Sequence, residues 1–288
     1  MKLAHLILAH SNPGQLQKLV HRLSHSDTDI YIHLDKKTNI SLFSSVKEIP
    51  NVFFIQKRIK VFWGAYSIVS ATLEGFREIL ASQKKYDYIN LLSGQDYPIK
   101  PIEHIHSFLA GNPNKAFMEF YDIEKVWTEA LPRITEYHLT QFRFIGKHFL
   151  QRIINRVLPK RQLPLAMIGV GRSQWFTIST GHVEYIVDFL SNNPKIVRFF
   201  KFTWGADEFI FQTILFNSPH KQDMVNNNLR YIDWAAGGAS PKTLSIEDGK
   251  VLLACDKLFA RKFSGVPSDP LQELIHKYTD QKNNIIDP

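Results

Sequence analysis

Short apolar runs alternate along the first half of the chain with segments whose apolar positions recur every three or four residues. Leu3–Ala9, Ile30–Leu34, Val52–Ile55 and Tyr88–Leu92 are runs of strand length with few polar interruptions, the pattern of strands buried on both faces. Between them, Gln15–Leu23 is entered through Asn12-Pro13-Gly14, a helix-start signal. Tyr66–Ser82 carries Ile68, Leu73, Phe76 and Ile79/Leu80 at helical spacing, and Ile102–Leu109 predicts a shorter helix. Strand, helix and strand in that order predict an α/β fold of right-handed βαβ units, with a mostly parallel central sheet flanked by helices.

The second half is less regular. Ala116–Phe120 and Trp175–Ile178 predict strands, and 182–191, 207–216 and 246–255 predict helices. Phe144–Leu158 reads as a basic amphipathic helix. Phe149, Leu150, Ile153, Ile154 and Val157 form its apolar stripe, and Lys147, Arg152 and Arg156 its charged side. Such a helix either packs its stripe on a core or lies on a membrane surface. Residues 144–161 are therefore a candidate peripheral membrane contact.

No Gly/Ser or Pro-rich linker, repeat or low-complexity run divides the 288 residues. The expectation is one domain over 1–288. The 44% hydrophobic content suits an ordinary globular chain. No run of ~18 apolar residues is present, and Leu3–Ala9 lacks a cleavage pattern after it, so it reads as a core strand rather than a leader. A cytoplasmic protein, peripheral on the inner membrane face at most, is expected. The single cysteine, Cys255, excludes an intrachain disulfide and a cysteine-based zinc site. A formal net charge of +8 implies an anionic partner. No acidic residue falls between Glu136 and Glu184, where Arg143, Lys147, Arg152, Arg156, Lys160, Arg161 and Arg172 all lie.

Several clusters carry candidate chemistry. Tyr88–Leu92 stops in Ser93-Gly94-Gln95-Asp96 and turns through Pro98 into Lys100. Ligands of open α/β sheets bind beyond the carboxyl ends of the strands, so Gln95 and Asp96 are placed to orient sugar hydroxyls. His33-Leu34-Asp35 ends the second strand, where a carboxylate accepts from a base N–H or a ribose hydroxyl. Trp63-Gly64 offers a flat ring and a close backbone approach, although Trp63 taken alone reads as a core aromatic. In Trp204-Gly205-Ala206-Asp207-Glu208, Asp207 suits a helix cap and Glu208 a general base beside an apolar wall. Lys242, and Arg261 with Lys262 between Phe259 and Phe263, are cations suited to a diphosphate leaving group. Asp27-Thr28-Asp29 has a metal-binding form but precedes a strand instead of ending one. It reads as a loop with a helix-end role, and no metal is expected.

In that order, these segments resemble glycosyltransferase family 14, the core-2/I-branching β-1,6-N-acetylglucosaminyltransferases and peptide O-xylosyltransferases. The likeness rests on Ile32-His33-Leu34-Asp35, Trp63-Gly64 leading into 67–71, and Ile89-Asn90-Leu91 to Pro98-Ile99-Lys100. Ser173-Gln174-Trp175-Phe176, Ala206-Asp207-Glu208 and Phe259-Ala260-Arg261-Lys262-Phe263 complete it. The resemblance implies a GT-A-like fold, with 1–120 mainly a nucleotide-sugar-binding half and 121–288 mainly an acceptor and catalytic half. It also implies an inverting, metal-independent transfer from a UDP-sugar, with N-acetylglucosamine the first choice and xylose the second. It places the catalytic base on Glu208, the uridine contact on Asp35, and the diphosphate on Lys262, with Lys242 the nearest match to an upstream basic residue. His33, Trp63, Gly64, Asp96 and Arg261 join the donor set; Gln95, Gln174, Trp175 and Trp204 are acceptor candidates. No cofactor beyond the UDP-sugar is implied. The acceptor would be a cell-surface glycan, lipid-linked if the basic helix meets a membrane. Animal members are anchored and cysteine-rich, so the chain resembles a compact bacterial form.

Two other classes stay open from residues alone. One is a non-catalytic binder of nucleic acid or anionic glycan, although no nucleic-acid motif is present. The other is a glycoside hydrolase, which needs a facing carboxylate pair.

Overall fold

The computed structural model describes residues 1–235, 237–238, 240–266 and 268–286, with side chains described as far as residue 280. Two units interleave along the chain. The first comprises residues 1–56, 85–113 and 229 onward, and the second 57–84 and 114–228. The first unit begins with β1 (Leu3–Ala9), α1 (Pro13–Leu23), β2 (Thr28–Leu34), α2 (Ser44–Lys47) and β3 (Val52–Phe54). The chain then supplies α3 (Ser67–Ala81) to the second unit and returns for β4 (Tyr88–Ser93), β5 (Asp96–Pro98) and α4 (Ile102–Ala110). The second unit takes β6 (Ala116–Asp122), α5 (Leu131–Thr135), α6 (Lys147–Val157), β7 (Val170–Ser179), α7 (Thr180–Asn192), α8 (Pro194–Lys201), α9 (Ile210–Phe216) and β8 (Met224–Asn226). Last come β9 (Arg230–Ile232), α10 (Gly249–Ala254), β10 (Phe259–Arg261) and α11 (Pro270–Ile286).

In the first unit β1 runs parallel to both β2 and β4, and β2 runs parallel to β3. Leu3, Ala4, Leu6 and Ile7 are wholly buried, which is why β1 reads as an apolar run, interrupted only at His5, instead of an alternating one. Asn12 caps α1 by accepting from the Gln15 amide at 3.1 Å, with Pro13 at the first helical position. Leu16, Leu19, Val20 and Leu23 are buried along one face of that helix. Each contributes about 1.5–3 kcal/mol of burial. A second, small sheet pairs β10 antiparallel to β5 and parallel to β9.

In the second unit β6 runs antiparallel to β7 and parallel to β8. Phe76 of α3, Phe176 of β7 and Phe211 of α9 meet with ring centroids 5.4–6.3 Å apart and form its aromatic core. The mixed α/β class with a mainly parallel sheet is thus the one its pattern predicts.

Three local expectations change. The predicted helix over 207–216 breaks at Phe209 (φ −125°), leaving a 3₁₀ turn, Ala206–Glu208, ahead of α9. The Phe209 ring is fully buried and stacks on Trp127 at 5.2 Å, so its packing overrides helix continuity. Asp207 caps nothing with its side chain. The predicted helix over 246–255 likewise divides into a 3₁₀ turn, Ile246–Asp248, closed by a Ser245/Asp248 capping box, and α10. Finally, Thr28 and Asp29 open β2 instead of lying in a helix-end loop, and Asp29 accepts from the Tyr86 hydroxyl at 2.6 Å.

The amphipathic helix forms over a shorter span, entered through Gly146 at φ +85°, and none of its residues is buried. Gln151 accepts from the Leu139 amide at 2.8 Å, and Asn155 bonds both the amide (2.7 Å) and the carbonyl (2.9 Å) of Tyr137. Polar side chains tether α6, while Phe149 is 63% and Val157 74% exposed. The stripe is therefore not packed on a core. The candidate surface over 144–161 also shrinks. Arg161 is buried and donates to the Glu136, Phe199 and Phe202 carbonyls, and Lys160 pairs with Glu136 at 2.6 Å.

Candidate functional site

In the first unit the candidate donor residues collect at the carboxyl ends of β1, β2 and β4. His33 is buried on β2, level with Leu8, which also pairs with Ser93. Asp35 follows immediately. Its amide donates to the Ala9 carbonyl at 2.8 Å, and its carboxylate takes the Lys37 amide at 2.9 Å and the Lys37 ammonium at 3.3 Å. One side chain thereby fixes the turn that ends β2.

The Ser93-Gly94-Gln95-Asp96 turn is locked in a comparable way. Asp96 Oδ2 accepts from the Ser93 amide at 2.9 Å, and Ser93 Oγ accepts from the Gln95 amide at 3.1 Å. A Cβ on Gly94 would stand 3.3 Å from the Ala9 Cβ, so the turn packs closely on β1. Asp96 itself is wholly buried, opposite Arg261 in the β5–β10 pair, with Oδ1 3.5 Å from Arg261 Nε. This revises the expectation that Asp96 meets a sugar directly. It is an internal strut of the strand end.

Burial raises the Asp96 pKa, opposed by Arg261, the Ser93 amide and Arg230. Arg230 donates to Asn90 Oδ1 and to the Leu91 carbonyl, and burial pushes its pKa down to about 9. Arg230 and Arg261 both interact with the buried Asp96 carboxylate, which favours their charged forms. The first unit thus holds two guanidinium groups behind its strand ends.

The two candidate lysines differ. Lys242 Nζ is committed to Asp248 Oδ1 at 2.7 Å, and that hydrogen bond raises the Lys242 pKa. Burial resists ionisation of Asp248, but the bonds from Lys242 and Ser245 outweigh it and hold the Asp248 pKa down. Lys262 Nζ donates to Ser240 Oγ at 3.1 Å, and no ion pair joins it among the described residues. Its carbonyl accepts from the Leu244 amide at 2.8 Å, and the Phe263 amide donates to the Gln95 carbonyl at 2.9 Å. The lysine is therefore anchored by backbone hydrogen bonds on its own carbonyl and on the next amide.

In the second unit Trp63, Gly64, Trp204 and Glu208 come together. Gly64 (φ +67°) and Gly205 (φ +65°) occupy the left-handed region, and the Gly205 amide donates to the Gly64 carbonyl at 2.8 Å. A Cβ on Gly64 would press on the Trp204 indole at 2.8 Å. Trp63 and Trp204 meet edge to face at 5.3 Å, and Trp63 is 63% exposed, so it is not a core aromatic. The 3₁₀ turn presents the Glu208 carboxylate one-third exposed beside them. Gly171 of β7 backs this turn. A Cβ there would overlap the Glu208 carbonyl.

Arg133, at the second turn of the chain after Trp127, is the functional candidate that motif reading misses. Its Nη2 lies 2.6 Å from Glu208 Oε2, and its Nε donates to the Trp204 carbonyl at 3.2 Å. The guanidinium also lies over the rings of Trp204 (4.4 Å), Phe209 (4.5 Å) and Trp127 (5.1 Å). No local spacing announces it, because 75 residues separate the partners. Arg230 did have a signal: a charge inside the apolar run Leu229-Arg230-Tyr231-Ile232 needs a buried partner. Gln174 and Trp175 lie half-buried on β7 beyond Gly171.

Asp207 is buried, and its Oδ1 has no hydrogen-bond partner among the described residues. Burial first, then the neighbouring Glu208 charge, pushes its pKa up to about 7. The folded chain therefore holds a proton that the unfolded chain loses near pH 4. That stability is complete below about pH 4 and is lost as pH rises through about 7. In Asp207→Asn this loss is absent, so the Tm advantage of the variant over wild type should widen by about 5 °C between pH 5 and pH 8. Thermal melts across that range check it; a constant offset counts against the assignment.

Comparison with known proteins gives the class. The profile of the core-2/I-branching enzymes matches residues 3–251, and the chain belongs to this family, glycosyltransferase family 14. It is 26% identical to xylosyltransferase 2 of Rattus norvegicus over 96% of its own length and 33% of that protein's. It is 28% identical to xylosyltransferase 1 of Homo sapiens over 81% of its length and 24% of that protein's. The chain thus spans about a third of the curated relatives it matches. Among solved structures it is similar to galactosyltransferase LgtC in complex with donor and acceptor sugar analogs (10% identity, 95% of each chain, TM-score 0.47). It is also similar to mouse xyloside xylosyltransferase 1 (9% identity, 92% of this chain and 99% of that one, TM-score 0.43).

Proposed function

We propose that the protein is an inverting, metal-independent glycosyltransferase that moves a sugar from a UDP-sugar to a hydroxyl of a glycan acceptor. The observation that carries this reading is the Glu208 carboxylate, one-third exposed on a 3₁₀ turn beside two tryptophans and held by Arg133, in a chain of family 14. A general base has to be accessible and fixed in direction, and both conditions are met.

Glu208 takes the proton from the acceptor hydroxyl, and the alkoxide oxygen displaces UDP from the anomeric carbon in one inverting step. Trp63 and Trp204 give a sugar ring an apolar platform. In the first unit Lys262 neutralises the diphosphate as charge builds on it, backed by the buried guanidinium groups. Asp35 and His33 form the floor for uridine. Asp96 acts as a positioning residue through the Ser93 amide and Arg261. Lysine and arginine cations thus do the work a divalent ion does in other transferases. N-acetylglucosamine remains the first donor choice, and the xylosyltransferase relatives favour xylose as the second reading.

A panel of UDP-sugars tests this, read by slow donor hydrolysis and thermal stabilisation, with EDTA in parallel. One UDP-sugar should stabilise the protein and be hydrolysed at rates EDTA leaves unchanged. Stabilisation by none of them would end the proposal.

We further propose that α6 rests on an anionic membrane, bringing the enzyme to a lipid-linked glycan. The support is its uncovered stripe flanked by Lys147, Arg152 and Arg156. Sedimentation with phosphatidylglycerol vesicles should occur at low salt and disappear in Phe149→Asp, whose Tm stays unchanged because the side chain is exposed. Equal sedimentation of the two proteins argues against it. No helix among the described residues is long and apolar enough to cross a membrane.

A further inference from the structure

At the far end of α9 from Glu208 lies a second cluster, to which the transfer reaction assigns no part. β7 ends at Ser179, and His182 sits in the first turn of α7, almost wholly buried. Its Nδ1 is 2.8 Å from Ser179 Oγ, and its Nε2 is 3.2 Å from Asp223 Oδ2. The same carboxylate oxygen lies 3.4 Å from His220 Nδ1. His220 and Asp223 belong to the 3₁₀ segment Pro219–Asp223, whose start Ser218 fixes by accepting from the His220 amide at 3.0 Å. The two imidazole rings meet edge to face at 5.0 Å, and the three candidate ligand atoms lie within 4.8 Å of one another.

From this geometry we infer that His182, His220 and Asp223 form a binding site for a zinc-class divalent ion. Two ring nitrogens converge on one carboxylate oxygen, an arrangement that calls for bridging protons or a single cation. The observed separations of 3.2 and 3.4 Å match the edge of a tetrahedron of ligands at zinc–nitrogen distance, ~3.3 Å. Two imidazoles and a carboxylate suit zinc and not magnesium or calcium, which prefer all-oxygen sets. Ser179 supplies the outer support that metal-binding histidines ordinarily have, holding the nitrogen that faces away from the ion. His220 and Asp223 stay partly exposed, at 36% and 27% of their side chains, leaving an entry path and room for a water as fourth ligand.

Glu208 precedes α9 while His220 and Asp223 follow it, so about 10 Å of helix lies between the base and these two ligands. The ion is structural. It ties the first turn of α7 to the segment that feeds the short strand β8, and takes no part in sugar transfer.

The test uses the full chain, stripped with a chelator and dialysed. Zn²⁺ at about 100-fold over its Kd should raise Tm by about 5 °C, while Mg²⁺ and Ca²⁺ leave it unchanged. Co²⁺ should give the visible absorption of a tetrahedral nitrogen–oxygen site. His220→Gln, at a partly exposed position, should fold normally and lose both signals. Ser179→Ala should keep them with an affinity weaker by about tenfold. An unchanged wild-type Tm overturns the site. So does a Zn²⁺ shift of the same size in His220→Gln, which would place the ion elsewhere. Neither readout depends on turnover.

Discussion

Glu208→Gln is expected to lower turnover by about 10²-fold or more and to leave donor affinity nearly intact. The substitution changes chemistry without changing shape. The amide oxygen still accepts from Arg133 Nη2, so the side chain keeps its direction beside Trp204 and Trp63. What is lost is the ability to take a proton from the acceptor as the new bond forms. The fold should not suffer, because removing the Glu208 charge also relieves its repulsion on buried Asp207. Single-turnover rates, with UDP-sugar binding measured on the same preparation, separate the two quantities. Turnover near wild type would remove Glu208 from the mechanism.

Lys262→Met should be the second large loss, about 10²–10³-fold in turnover, comparable to removing one preorganised donor from a developing anion. Lys242→Met should cost tenfold or less. The structure separates these two lysines, both of which the resemblance puts on the diphosphate, Lys262 by a direct match and Lys242 as the nearest upstream basic residue. Lys242 already spends its charge on Asp248, in the capping box of the 3₁₀ turn that leads into α10. Losing it should show mainly as a lower Tm. Among the described residues Lys262 Nζ meets a serine hydroxyl and no carboxylate, while its backbone is bonded to Leu244. An ammonium so anchored can turn to a diphosphate without breaking an ion pair. Turnover and Tm measured for both variants decide the matter. If Lys242→Met proved the slower enzyme, the diphosphate assignment would have to move to Lys242.

Much of the site's chemistry was legible as residue types in order, and less of its construction was. Glu208, Trp63 and Lys262 stood out because an acid beside tryptophan and glycine, an aromatic before glycine and a lysine between phenylalanines are locally unusual. Arg133 did not stand out, since an arginine after a proline in a short helix looks like any surface cation. Its role exists only because Gly205 turns left-handed and brings Glu208 back against it. Asp96 was visible, but whether it meets solvent or a guanidinium depends on the three-residue β5–β10 pairing. Strands that short carry no periodicity to read.

Residue order by itself settled the strands that are buried on both faces, β1 and β4 above all, and the entry to α1. Burial on two faces demands apolar side chains at most positions, with the few polar ones bonded to each other as His5 is to Asn90, and a cap demands a particular side chain at one. The same local constraints placed the strand-end carboxylates and the tryptophan–glycine steps. Tertiary structure alone decided which charges are paired, that Phe209 breaks a helix, that α6 turns its apolar stripe outward, and that two histidines and an aspartate meet behind α9. Each depends on groups tens of residues apart competing for the same space or the same charge, and neighbours in sequence carry no record of that competition.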